Sequence, residues 1–186
     1  MNPSRTSRPS RLKKRGAAQL INQDSGNMEW YTPPEILDVA RAVLGGFDLD
    51  PFSCAVANER VQAARFFTKE DDALKQEWFG RVWMNHPFGR KTNGSCVRKL
   101  IEEYRSGRVK EAVCITFAAT SEKWAQPLLN YPICLLAPRT NYLRPDGTKV
   151  RGITKGSMLT YFGDDRHMFA WLCKDRNIGK VFFPAK

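Results

Sequence analysis

At 186 residues, with 42% hydrophobic and 26% charged side chains, the chain has the composition of a soluble globular protein with room for one well-buried core but not for two ordinary domains. No stretch reaches the length of a membrane span and the basic N-terminus lacks the apolar segment of a secretory leader, so the expectation is a cytoplasmic protein with no membrane partner. Thirty Lys and Arg against nineteen Asp and Glu leave a formal charge of +11, which favours a polyanionic partner such as nucleic acid.

Residues 1–27 carry six Lys or Arg within the first fifteen positions and no acid before Asp24, with too few large apolar residues to fold alone. They read as a disordered basic arm, and residues 28–186 as a single domain. Order begins at "EWYTPPEILDVARAVLGG". Thr32 suits an N-cap, Pro33 the first helical position, and Glu35 completes a capping box. Ile36, Leu37, Ala40, Val43 and Leu44 then share one face of a helix over about 33–44, ended by Gly45 and Gly46. "FDLD" reads as a short strand stopped by Pro51, and "DPFSCAVAN" as a loop without glycine. "ARFFT" and "RVWM" are strands, "SCVRKLIEEYRSG" is a helix closed by Gly107, and "EAVCITFA" is a buried strand. "SEKWAQPLL" suggests a helix interrupted near Pro127, before the strand "ICLLA". "TNYLRPDGTKV" holds a Pro-Asp-Gly turn between extended runs, "SMLTYFG" is a strand that returns antiparallel, and the helix "DDRHMFAWLCK" leads to the strand "KVFF". Strands alternating with helices predict an α/β fold built on a mostly parallel, doubly wound sheet with an antiparallel strand.

The five cysteines are scattered, with no C-x-x-C and no histidine pair nearby, so neither a metal site nor a disulfide framework is expected. Cys114 and Cys134 sit in apolar runs as small core residues. Ligands of open α/β sheets bind beyond the carboxyl ends of the strands. "DLDP" and "NHPF" each follow a strand directly, so the two are expected on one rim.

The stretch "VWMNHPFG", residues 82–89, ends a strand in a rigid polar and aromatic tetrad. An exocyclic aromatic amine is a weak nucleophile because its lone pair is delocalised into the ring. Two acceptors aimed at its N–H bonds favour a more pyramidal nitrogen and stabilise the positive charge that grows during alkyl transfer. Asn85 offers an amide oxygen. His86 offers a main-chain carbonyl, confined to an extended conformation because Pro87 follows. Phe88 can stack on a base, an interaction worth roughly 1–3 kcal/mol.

"NHPF" resembles the Asn-Pro-Pro-Tyr/Phe signature of S-adenosylmethionine-dependent amino methyltransferases. The order of the pieces resembles the phage and prophage DNA N6-adenine methyltransferases, the phage Dam family. The likeness spans roughly residues 29–183: "EWYTP", "FDLDP", Asn58, "RFFTKEDDAL", "WFGRVW", the tetrad, "RTNYL" and "KGSMLTYF". It implies a Rossmann-like methyltransferase with S-adenosylmethionine as donor and double-stranded DNA as partner. Asn85, His86, Pro87 and Phe88 would form the catalytic tetrad. Trp30, Tyr31, Thr32 and Pro33 would help hold the methionine end of the donor. Asp50 and Pro51 would lie at the acidic end of the first strand, where a carboxylate suits a ligand bearing an ammonium and a sulfonium. Of the acids after "FFT", Asp72 is preferred over Asp71 as the contact to the donor's ribose or adenine. His86 departs from the family's usual proline; the role of that position is a carbonyl, though the imidazole could also donate to phosphate or base.

An adenine N6 inside a duplex cannot reach such a rim pocket, so the target base is expected to be extruded. Arg90, Lys91, Arg98 and Lys99 after the tetrad, and Arg139, Arg144, Lys149, Arg151 and Lys155 in the later segment, are the candidates for contact with DNA. GATC as the target follows from the family likeness only. Two alternatives keep the fold: a methyltransferase acting on RNA or a protein glutamine amide, since the tetrad can grip any planar amine, and a catalytically silent DNA-binding protein. The charge of +11 argues against a protein substrate.

Overall fold

A computed structural model of the chain describes residues 30–89, 92–150 and 155–185. The expected basic arm lies outside the described residues. The elements in chain order are α1 (Pro34–Leu44), β1 (Leu49–Asp50), α2 (Ala55–Val61), β2 (Arg65–Phe66), β3 (Gly80–Met84), α3 (Asn93–Arg105), β4 (Val109–Phe117), β5 (Ile133–Leu136), β6 (Ser157–Phe162), α4 (Arg166–Asp175) and β7 (Gly179–Phe182). The seven strands form one sheet in the order β2-β1-β3-β4-β6-β5-β7. Pairs β1–β2, β1–β3 and β3–β4 are parallel, whereas β4–β6, β5–β6 and β5–β7 are antiparallel. Strands β1 to β5 therefore run one way and β6 and β7 the other: the expected mostly parallel sheet, with β7 reversed as well as β6.

The near-continuous apolar runs of β3 and β4 reflect a sheet covered on both faces. With a side-chain period of two, Trp83, Val113, Ile115, Leu159 and Tyr161 point to one side, where they pack with Leu37, Ala40 and Leu44 of α1 and Phe169 and Leu172 of α4. Val82, Met84, Ala112, Cys114 and Met158 point to the other, against Val97, Leu100 and Ile101 of α3 and the fully buried Trp78. Each such aliphatic side chain contributes about 1.5–3 kcal/mol relative to exposure. All five cysteines are free thiols.

Three local expectations are corrected. The first helix begins at Pro34 with Pro33 in the capping position and no side-chain cap; two prolines supply the helical entry, and Thr32 turns to Asn85 instead. The segment after Pro51, read as a loop, turns into α2 from Ala55. The Asp50 side chain accepts the Phe52 N–H at 3.1 Å, so the carboxylate makes the tight turn that glycine would otherwise permit. The segment around Pro127 forms only a 3₁₀ turn, Gln126–Asn130, because proline removes a donor and bars a longer helix.

One glycine sets the entry to β3. Gly80 has φ +65°, and a Cβ there would lie 2.5 Å from Asp48 Oδ2. That carboxylate is fixed by the Arg81 main-chain N–H at 2.8 Å, Arg81 Nε at 3.0 Å and Arg81 Nη2 at 2.9 Å, which tie the start of β1 to the start of β3. Gly80→Ala is expected to destabilise the protein by about 1–3 kcal/mol from the backbone conformation alone, with a further loss from the displaced Asp48. A lowered urea midpoint at unchanged m-value checks this.

Candidate active site

Leu49 of β1 stands beside Val82 of β3 in parallel register, so the residues that follow both strands emerge on one rim. Asp50 and Asn85 there line a single cleft of about 610 Å³. Asn85 directs its Nδ2 to the Trp30 carbonyl at 2.8 Å and to Thr32 Oγ1 at 3.2 Å. A carbonyl only accepts, so the amide nitrogen must face it. The amide oxygen is left with no hydrogen bond among the described residues.

His86 is 1% exposed. Its Nε2 lies 3.1 Å from Asn93 Oδ1, which also accepts the Gly89 N–H at 3.1 Å. An amide oxygen cannot donate, so Nε2 carries the ring proton and Nδ1 is a bare acceptor, buried without a partner among the described residues. Burial pushes the imidazole pKa down to about 4, against the smaller opposing effect of Asn93, so the ring is neutral at physiological pH. The sequence reading that allowed this ring to donate to phosphate is corrected: its one donor is committed to Asn93, and it packs between Phe52 and Phe88 with centroids 6.2 and 5.5 Å away. No donor among the described residues reaches the His86 carbonyl. Pro87 is exposed and its carbonyl accepts the Thr92 hydroxyl at 2.9 Å. Phe88 rests on Phe117 at 4.4 Å and Tyr142 at 5.8 Å, and Tyr142 meets Trp30 at 6.0 Å.

Asp50 is 2% exposed. Desolvation raises its pKa from 3.8 to about 7, although the Phe52 N–H pulls the other way. A carboxylate kept this dry is poised for a cation, which would restore its charge. Asp72 also lines the cleft, at the start of the 3₁₀ turn Ala73–Lys75, and pairs with Lys75 at 2.8 Å. Asp71 instead closes its own turn, accepting from the Thr68 N–H and hydroxyl at 2.7 and 2.8 Å.

Trp30, Tyr31, Thr32, Asp50, Asp72 and the four residues of the tetrad thus meet around one cavity, whereas Pro33 and Pro51 do not line it. Sequence reasoning missed Phe52, Cys54, Arg60 and Lys69, which do. The missed glycine-free turn and α2 are what bring Phe52, Cys54 and Arg60 there. Asn58, one of the quoted family residues, closes the end of α2 by bonding the Ala63 N–H and carbonyl at 2.9 and 3.1 Å.

The family model described as DNA N-6-adenine-methyltransferase (Dam) matches residues 21–170. The chain belongs to the Dam family. No curated protein matches it. Membership makes the chain, in kind, a DNA adenine methyltransferase. The hairpin carrying Arg144 is brought to the Dam cleft by paired main-chain bonds between Tyr31 and Leu143, at 2.9 and 2.8 Å, and its Pro-Asp-Gly turn is closed by Arg144 N–H to the Thr148 carbonyl at 2.9 Å. Arg139, Arg144, Lys149 and Arg98 are exposed, and Lys155 lies over the Phe117 ring at 5.3 Å. None of these five lines the cavity. Lys99 is corrected as a DNA contact: with Arg108 it neutralises the buried Glu103, its Nζ 2.6 Å from the carboxylate. Arg90, Lys91 and Arg151 lie outside the described residues. No helix among the described residues is long and apolar enough to cross a membrane.

The raised pKa of Asp50 gives the unliganded protein a pH signature. Between 3.8 and about 7 the fold holds a proton that the unfolded chain has released. Stability from this group is therefore full below pH 4, declines through that window and is lost above pH 7. The cost reaches at most about 4 kcal/mol above pH 7. Asp50→Asn is expected to raise the melting temperature of the free protein at pH 8 and to leave it unchanged at pH 4, as measured by calorimetry across pH.

Proposed function

We propose that the cleft transfers a methyl group from S-adenosylmethionine to the exocyclic N6 amine of an adenine flipped out of double-stranded DNA. The observation that carries this reading is the orientation of the Asn85 amide: its nitrogen is consumed by Trp30 and Thr32, and its oxygen is the free acceptor beside Asp50 in the same cavity. The donor fits these residues, because a buried carboxylate whose pKa is lifted by desolvation favours a cationic ligand, and the aromatic lining suits an adenosine. When bound, S-adenosylmethionine supplies a methyl carbon on a sulfonium that leaves as a neutral thioether.

The protein's own part is positional and electrostatic. Asn85 Oδ1 and the His86 carbonyl accept the two amine hydrogens and turn the nitrogen lone pair toward the methyl carbon. Phe88, braced by Phe117 and Tyr142, stacks on the purine. Asp50 balances the donor's positive charge, with the Trp30–Pro33 segment around the methionine end and Asp72 at the ribose or adenine. As the new N–C bond forms, the nitrogen becomes positive and loses a proton to water; the neutral imidazole of His86, with its low pKa and sealed position, is no proton acceptor for it. The exposed cations Arg98, Arg139, Arg144 and Lys155, and with them Arg90, Lys91 and Arg151, contact the DNA backbone.

Asn85→Ala is expected to lower the rate of methyl transfer to DNA by about 10²–10³-fold or more, while calorimetry shows donor affinity reduced only severalfold through the loosened Trp30 segment. Transfer at the wild-type rate sinks the assignment. Offering labelled donor to DNA, RNA and protein in parallel separates the acceptor classes, and label in RNA or protein alone overturns the DNA reading. Removal of residues 1–20 is expected to flatten the salt dependence of DNA affinity, because fewer counterions are released on binding; fluorescence anisotropy from 50 to about 200 mM salt measures the slope.

A further inference from the structure

Among the charged side chains of the cleft, Arg60 makes no salt bridge among the described residues and also carries a buried, unbonded nitrogen. Arg60, near the end of α2, lines the cavity with its guanidinium carbon 5.6 Å from the centroid of the Tyr31 ring. Its Nη1 is buried and makes no hydrogen bond among the described residues. Its main chain is fixed, since Arg41 Nη2 donates to the carbonyls of Arg60 and Val61 at 2.9 and 3.0 Å. The adjoining hairpin leaves it space: a Cβ on Gly147 would lie 3.3 Å from Arg60 Nη2. Asp146 on that hairpin interacts with its charge only through space, because its Oδ1 is taken by the Thr148 N–H and hydroxyl at 2.8 and 2.7 Å.

A guanidinium is always charged, and its planar fork matches a carboxylate or phosphate. Desolvating part of that fork without a partner is unfavourable. It is explained if an anion completes the site. Two anions are available to this enzyme, a DNA phosphate and the carboxylate of the donor's amino-acid end. A duplex phosphate meets exposed cations such as Arg139 and Arg144. Arg60 instead lines the cavity itself, stacked on Tyr31, where the carboxylate of a small molecule seated there can meet its fork.

We propose that Arg60 binds the α-carboxylate of the methyl donor, opposite in charge to Asp50, so that the two residues read the zwitterionic end of the ligand. This assignment rests on the function proposed above. The planar, delocalised cation stacks on Tyr31, and so stays in place while the ligand is absent. Asp50 and Arg60 then divide the work, one selecting positive charge and the other the carboxylate.

The test is calorimetric titration of the full chain with S-adenosylmethionine and with its decarboxylated analogue. The wild type is expected to bind the intact donor at least about tenfold more tightly than the analogue, the value of one charge-assisted pair. Arg60→Gln should abolish that preference and leave the analogue's affinity within about twofold of wild type. Arg60→Lys, which keeps the charge but not the fork, should retain part of the preference. Wild-type binding without preference, or full preference in Arg60→Gln, overturns the role of Arg60 and leaves the proposed function standing. Preserved donor preference with weakened DNA affinity in Arg60→Gln overturns it in favour of a phosphate contact. A wild type that binds neither ligand removes the proposed function and this assignment together. Should Arg60→Gln not fold, as judged by circular dichroism, the wild-type preference and the Arg60→Lys loss decide the matter.

Discussion

The hydrogen bond from Asn85 Nδ2 to the Trp30 carbonyl, 2.8 Å long, joins residues 55 positions apart in the chain. It fixes the segment entering α1 against the end of β3, and it decides which way the amide faces. With the nitrogen spent on Trp30 and Thr32, the oxygen is presented as an acceptor beside the carboxyl of Asp50. The parallel pairing of β1 with β3 places both groups on one rim, and the Tyr31–Leu143 bridge then draws the basic hairpin to the same place. Loss of the Asn85 bond would loosen the Trp30 segment and free the amide to turn.

The second organising feature is electrostatic. The cavity keeps a carboxyl too dry to ionise readily and a guanidinium with one nitrogen unpartnered, without joining them to each other. Charges held apart in an apolar lining cost stability in the free protein, and that cost is recovered only when a ligand of complementary pattern enters. The proposed donor is cationic at sulfur and zwitterionic at its amino-acid end. On that proposal, the local instability at Asp50 is part of how the site recognises its donor.

His86 shows how one position of a tetrad can carry a different side chain and leave its main-chain carbonyl available. In the proposed reaction that carbonyl is the functional group, and Pro87 restricts it whichever residue precedes. The imidazole turns inward to Asn93, and Asn93 in turn holds the Gly89 N–H, so the ring helps define the turn that leads into α3. It packs with Phe52 and Phe88 as a neutral, mostly apolar body. The stack from Phe88 through Phe117 to Lys155 then leads from the tetrad toward the exposed cations.

Much of this was legible in the order of residues. Apolar runs at β3 and β4, the amphipathic α1 and α3, and the placement of "DLDP" and "NHPF" after strands follow from local periodicity, which needs only nearest-neighbour geometry. The tetrad's chemistry was readable because amide, carbonyl and aromatic have the same properties in any fold. Tertiary structure alone decided the rest. Thr32 reads as a helix cap until Asn85 is brought to it, Lys99 as a free cation until it meets buried Glu103, and Arg60 carries no local signal at all until Tyr31 and the hairpin come beside it. Burial and partnership are set by residues distant in sequence, so the dry carboxyl, the silent imidazole and the unpaired guanidinium acquire their properties only when the chain is folded.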